Sequence, residues 1–353
     1  MKNILFIPTL IIFNFLFFSS NSFALQCGET IQTSITLTQD LNCPNTTDFA
    51  LNIIGDNISV NGNGHAIYAP LAIAGIFVHG LSPNISGFVI TGIQTGTGIF
   101  VYDSPGVSLH QNQSTNNMYG IRIYADTTSM NTVTIASNTL SNNSVFGIYV
   151  SHSFQGSIGH PVIIANDLSQ SGSFALFVEA DEFEVTMAGA NSLFESTSGI
   201  YLKGGNFLIH DISLLDESIR HVGIFVDSAK SLGVSNLDVS TSLTPLPSEE
   251  QIGLDIYRTP SFVITQFTAN GNDVGLKLET EAQVNTTGTV NCSHLSNNQA
   301  AGIMFSSYDS TIYGSVALNG VIFTETDPSK NVLISNGTIA NPTFGPGFSC
   351  TVK

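Results

Sequence analysis

Gly75-Ile76-Phe77-Val78, Gly98-Ile99-Phe100-Val101, Gly120-Ile121-Arg122-Ile123 and Gly147-Ile148-Tyr149-Val150 open a series of glycine-apolar-x-apolar tetrads. The series continues through Gly199-Ile200-Tyr201-Leu202, Gly223-Ile224-Phe225-Val226, Gly253-Leu254-Asp255-Ile256, Gly275-Leu276-Lys277-Leu278 and Gly302-Ile303-Met304-Phe305, with Ala175-Leu176-Phe177-Val178 in the one gap. Successive starts differ by 22 to 30 residues, and self-similarity at such a period is the signature of a repeat architecture. Two further short β-branched runs separate the tetrads, as in Asn131-Thr132-Val133-Thr134-Ile135 followed by Thr139-Leu140. Each period therefore holds three short strands divided by Asn, Gly and Ser. Hairpins of a sandwich leave that period unexplained. Strands that pair with their equivalents one repeat on form parallel sheets with the apolar side chains stacked inside.

A small amide or acid recurs between the second and third strands, as Asn112, Asn138, Asn166, Asn191, Asp211, Asn236 and Asn336. Asn tolerates the left-handed backbone of a tight corner, and its amide can bond to the equivalent Asn on the next rung. We read this as a structural ladder.

With these repeats, the opening Cys27-Gly28-Glu29-Thr30-Ile31, Leu41-Asn42-Cys43 and the run from Asn57 to Ile67 resemble the first rungs of the right-handed parallel β-helix superfamily. That superfamily includes the pectate-lyase-like folds and the β-helix repeat proteins similar to the periplasmic copper-site maturation factor of nitrous oxide reductase. The resemblance spans roughly residues 50 to 340 and implies an all-β, right-handed, single-stranded parallel β-helix of about ten to twelve coils. It is specific for fold and poor for function, because such scaffolds host many chemistries.

Residues 1–24 read as a secretory signal: Lys2, an apolar run from Ile4 to Phe18, and small residues before Ala24. The competing reading, an N-terminal anchor, suffers from the shortness of the run and from Pro8 and Asn14 within it. We therefore expect a secreted or periplasmic protein, with residues 25–353 forming one β-helix domain, 25–56 its N-terminal cap and first rung, and 331–353 its C-terminal cap. No membrane span is expected after signal cleavage. Cys27, Cys43, Cys292 and Cys350 are expected in disulfides in an exported chain, and pairing Cys27 with Cys43 and Cys292 with Cys350 would staple the two ends.

The 26 acidic residues against nine basic ones give a net charge of −17, which disfavours nucleic acid and resists anionic polysaccharide unless a local basic groove or a bound cation overrides it. The eight histidines show no ligand spacing, so no metal site is assigned. No cofactor is expected. The acidic run Asp181-Glu182-Phe183-Glu184 offers oxygen ligands of the kind calcium takes, with a solvated turn as the simpler reading.

In the resemblance, the tetrad strand corresponds to the sheet that carries the substrate cleft in the superfamily's enzymes. Period-two alternation points its branched residues inward and its x residues outward. The first outward column reads Phe77, Phe100, Arg122, Tyr149, Phe177, Tyr201, Phe225, Asp255, Lys277 and Met304. A second reads His79, Tyr102, Tyr124, Ser151, Glu179, Lys203, Asp227, Tyr257, Glu279 and Ser306. Exposed rings offer flat apolar faces to sugars, so Phe100, Tyr149, Phe177, Tyr201, Phe225, Tyr257 and Lys277 are the candidate substrate-binding residues, for a polysaccharide or cell-surface glycan. Lys203, Asp227, Asp255 and Arg258 are the candidate catalytic residues, acids and bases on adjacent coils. A lyase or glycoside hydrolase would need such groups, yet no catalytic motif known in the superfamily is present, and the chain has no Trp. The insertion from Thr241 to Gln251 would rise beside Asp227, Asp255 and Arg258. The alternative is a non-enzymatic surface or envelope adhesin, or a structural spacer.

Overall fold

The computed structural model describes residues 25–186, 191–214, 218–242, 250–281, 284, 286–307, 314–324, 327–335 and 343–344. The signal segment 1–24, Asn336, Cys350 and positions 243–249 of the insertion lie outside them.

The protein is a right-handed parallel β-helix. Thirteen strands stack in one parallel sheet that runs from Glu29–Ile31, through Phe49–Ile54, Ala74–His79 and Thr97–Tyr102, to Val332–Ser335. Every tetrad lies in this sheet, and the tetrads are in register from rung to rung, so that Ile76, Ile99, Ile121 and Ile148 lie side by side. Those isoleucines, and Val78, Val101, Ile123 and Val150 two residues on, are fully buried. The core is thus a set of parallel aliphatic columns, each contact repeated on the next rung. In the N-terminal half two smaller parallel sheets, of six and four strands, close the other faces. Further on, longer strands such as Asn206–Ser213, Ser231–Asp238 and Ser261–Asn270 form a nine-stranded sheet and bend at Asp211, Asn236 and Gln266, whose φ angles are 55°, 50° and 56°. One left-handed residue turns a strand without ending it.

The tetrad glycine is demanded by space. A Cβ on Gly75 would stand 2.7 Å from Ile90 Cγ2, one on Gly120 would stand 2.7 Å from the Asn143 amide nitrogen, and one on Gly199 would stand 2.8 Å from Ile219 Cδ1. All three neighbours are interior side chains, so the glycine and the aliphatic residue after it both face inward. The alternation is broken there: where the preceding residue is aromatic, as at Tyr119 and Phe146, its ring stands beside the outward column, whereas Ala74, Thr97, Val274 and Ala301 at the same place are buried. Ala175, and Ala50 in the rung before Gly75, place a methyl at this corner, and both are fully buried.

The amide ladder divides in two. Asn112, Asn138 and Asn166 are buried, and the Asn112, Asn138 and Asn166 amides each donate to the next rung's carbonyl oxygen, at 3.0, 2.9 and 2.9 Å, ending on Asn191. The left-handed residues here are their predecessors Gln111, Ser137 and Ala165. Asp211 and Asn236 are themselves left-handed and exposed, with the Asn236 amide donating to Asp211 at 2.8 Å outside the solenoid. A second interior ladder runs through Asn117 and Asn143, and again through Asn272 and Asn298.

At the N-terminal end a disulfide joins Cys27 and Cys43. Cys292 is also disulfide-bonded. No helix among the described residues is long and apolar enough to cross a membrane.

Candidate functional site

The registered tetrads place Phe77, Phe100, Arg122, Tyr149, Phe177, Tyr201, Phe225, Asp255, Lys277 and Met304 in one outward column. Its rings interact from rung to rung: Tyr149 and Phe177 are stacked with centroids 4.6 Å apart, Phe177 and Tyr201 meet edge to face at 4.7 Å, and Tyr201 and Phe225 lie 4.8 Å apart at 52°. Phe177 is nearly covered by its neighbours, while Phe100, Tyr149, Tyr201 and Phe225 are half-buried.

Strict alternation misses part of this strip. Tyr119, Phe146 and Phe174, each just before the tetrad's first residue, lie beside the column, with centroids 5.8, 5.2 and 5.2 Å from Tyr149, Tyr149 and Tyr201. The inward corner glycine sends them out. The sequence signal was an aromatic residue at this position in three consecutive rungs.

Toward the C-terminal half, charge replaces rings. Asp227 is buried and fully engaged: its carboxylate accepts from the Tyr201 hydroxyl at 2.9 Å, Ser228 Oγ at 2.6 Å and the Arg258 guanidinium at 3.0 Å. Burial, and then the bond to Asp227, hold the Tyr201 hydroxyl well above the ordinary phenol range. Arg258 also lies 4.3 Å over the Tyr257 ring and 3.7 Å from Glu281, which accepts the Tyr257 hydroxyl. Lys203 is paired with Glu179 at 3.0 Å. Of the four candidate catalytic residues, Lys203, Asp227 and Arg258 therefore already have partners.

Asp255 differs. It is 6% exposed, and its Oδ1 is buried with no hydrogen-bond partner. Burial first, and the nearby Glu279 second, push its carboxyl up to about 8, so it is protonated at neutral pH. On the next rung Lys277 bonds Glu279 at 2.8 Å and reaches Glu250 at 3.5 Å; burial opposes its charge, but Glu279 and Asp255 hold it above the ordinary ammonium range. The strip thus ends on a neutral acid beside an ion-pair cluster. A buried protonated carboxyl can give a proton to a ligand atom brought within hydrogen-bond reach.

A separate groove of about 620 Å³ follows the bends of the nine-stranded sheet, lined by Asp211, Asn236, Gln266, Thr268 and His294 among others. Beside it His210 bonds Asp211 and Glu184, and those two bonds raise its pKa above the usual imidazole value.

Residues 74–211 match the sequence model of the family described as NosD, periplasmic copper-binding protein. Among solved structures, the catalytic unit of a thermostable GH87 α-1,3-glucanase from Streptomyces thermodiastaticus strain HF3-3 is similar over 91% of this chain and 65% of that one, at 10% identity and a TM-score of 0.35. The chain thus spans less than two thirds of that structure's length. A search of the curated proteins finds no match. Copper does not fit the donors present: among the described residues no group of three or more His, Cys, Asp or Glu side chains is placed to hold a metal ion, and Cys27, Cys43 and Cys292 are held in disulfides, which lack the thiolate that binds metal.

Proposed function

We propose that this protein is a secreted or periplasmic β-helix that binds a polysaccharide or cell-surface glycan laid along the solenoid axis on the aromatic strip. One observation carries the proposal: six rings and one arginine occupy seven consecutive outward positions, from Phe77 to Phe225, in strict register. Neighbouring parallel strands are about 4.8 Å apart, so the strip offers an extended polymer a row of equivalent apolar contacts. Turnover, where the strip supports it, centres on Asp255 as proton donor, since Lys203, Asp227 and Arg258 are engaged by their partners.

The second reading is a non-enzymatic adhesin or spacer. Ring-on-ring stacking favours it: Phe49 and Phe77, at 4.4 Å and 17°, spend their faces on each other. A glycan-array screen of residues 25–353, with calcium and then with chelator, separates the two. Retention that weakens in Tyr149→Ala and Tyr201→Ala supports the strip. Retention unaffected by either substitution, or no retention at all, moves the assignment to the adhesin or spacer.

A further inference from the structure

We infer that Arg122 is the anchor for a carboxylate on the bound polymer, so that the N-terminal half of the strip takes an acidic, uronate-type glycan. The inference rests on the glycan-binding reading and names the substrate class. Arg122 stands in the column between Phe100 and Tyr149. Its guanidinium carbon lies 5.1 Å from the Phe100 ring centroid and 5.8 Å from those of Tyr119, Tyr124 and Tyr149. Four rings hold the cation in place without neutralising it.

Every other cation of the outward columns has a carboxylate: Lys203 has Glu179, and Lys277 has Glu279. Arg258, next to the second column, has Asp227. The Arg122 side chain makes no ion pair and no hydrogen bond among the described residues, and its Nε is buried without an acceptor. In a chain with 26 acids and nine bases, that isolation requires the acids to be kept away. They are. The outward residues of the four rungs from Phe77 to Ser151 include no Asp or Glu. The carboxylates at the adjoining corner are committed elsewhere, Asp103 to the backbone N–H groups of Asp126, Thr127 and Thr128, and Asp126 to the Tyr102 hydroxyl.

An unpaired guanidinium presents a planar fork that fits a carboxylate with two parallel N–H···O bonds, while the flanking rings remain for the sugar's apolar face. Filling a gap in the ring stack does not explain the arrangement: an aromatic residue would continue the stack and leave no donor orphaned. The global negative field would otherwise repel an acidic polymer. This segment, whose two outward columns carry no acid, is where such a polymer approaches.

The test titrates the purified full chain with three probes: oligogalacturonate, the same oligomer with its carboxyls reduced to alcohols, and dextran sulfate. Oligogalacturonate is expected to bind best, and more weakly as salt rises. Arg122→Gln is expected to lose about tenfold or more of that affinity while binding the reduced oligomer unchanged, and Arg122→Lys to recover part of the loss through its charge. Far-ultraviolet circular dichroism checks folding, and Arg122→Lys keeps the test decisive if the Gln variant does not fold. Equal binding of the acidic and reduced oligomers by the native chain overturns the inference and leaves the strip standing. So does undiminished oligogalacturonate binding by Arg122→Gln. Tightest binding of dextran sulfate, lost in Arg122→Gln, overturns the carboxylate in favour of a sulfate ester. Failure of every probe overturns the strip itself.

Discussion

Asn138→Ala tests the interior amide ladder. In the folded chain Asn138 Oδ1 accepts from both the backbone N–H and the side-chain amide of Asn112, at 2.9 and 3.0 Å, and its own amide donates to Leu109 O and to Asn166 Oδ1, at 3.0 and 2.9 Å. The site is 2% exposed, so water cannot replace these partners without opening the coil. Truncation orphans at least the Asn112 N–H and weakens the satisfaction of Leu109 O, and each buried polar group left unmade costs about 1–3 kcal/mol. A loss of about 3 kcal/mol is expected. Asn236→Gly is the internal control: the same residue type in the same recurring pattern, but exposed, with its side chain bonded only to Asp211, and glycine keeps the left-handed backbone without a Cβ clash, so its loss should stay below about 1 kcal/mol. Urea unfolding of both variants at matched pH reads the difference as a shift of midpoint at constant slope. Solenoids need not unfold in one step, so amide hydrogen exchange at Asn112, one rung away, gives a local reading of the same loss. Equal destabilisation by the two substitutions would refute the reasoning, because it would mean that the ladder contributes nothing beyond its sequence position.

Further outcomes follow from the charged end of the strip and from the first rung. Because Asp255 has a folded-state pKa of about 8 against an ordinary value of 3.8, its contribution to stability is complete below about pH 4 and is lost as pH rises toward 8. Native stability relative to Asp255→Asn should therefore fall through that window, by at most about 1.4 kcal/mol per pH unit for one proton, and level off above it. A flat difference in urea midpoints from pH 4 to 8 would contradict the buried neutral acid. Arg258→Ala leaves the buried Asp227 carboxylate without its guanidinium and should cost about 3 kcal/mol in thermal or urea unfolding. Arg258→Lys should restore less than half, since a single ammonium cannot span Asp227 and Glu281 as the fork does. Cys27→Ser opens a disulfide of sequence separation 16 and should cost about 3 kcal/mol, seen as earlier proteolysis within the first rungs.

The fold was legible because its determinant is local and repeated. A small residue, nearly always glycine, two aliphatic residues and one outward residue recur from coil to coil, and period-two alternation sorts the aliphatic columns from the aromatic one. What alternation could not show is the corner at the glycine, where two successive residues face inward. Tyr119, Phe146 and Phe174 were lost to view for that reason. The amide ladder had a similar blind spot: Asn138 follows a left-handed residue and Asn236 is one, and spacing alone does not distinguish the two. Ion pairs were less legible still. Asp227 meets Arg258 thirty-one residues away and Lys203 meets Glu179, because partners on different coils are set by coil length and by how far a long side chain reaches. The sequence placed Asp227 and Asp255 on adjacent coils but could not show that one is engaged by three partners and the other carries an unpartnered oxygen. The isolation of Arg122 likewise depended on knowing where Asp103 and Asp126 point.

Hydroxyl-radical footprinting of tyrosines with and without a retained glycan tests the central claim most directly, because the chain carries tyrosines both on the strip and away from it. The account predicts protection at Tyr149 and Tyr201 on the strip and none at Tyr68, which lies exposed on a different sheet. Protection at Tyr68 with Tyr149 and Tyr201 unchanged would place the glycan elsewhere and contradict the account.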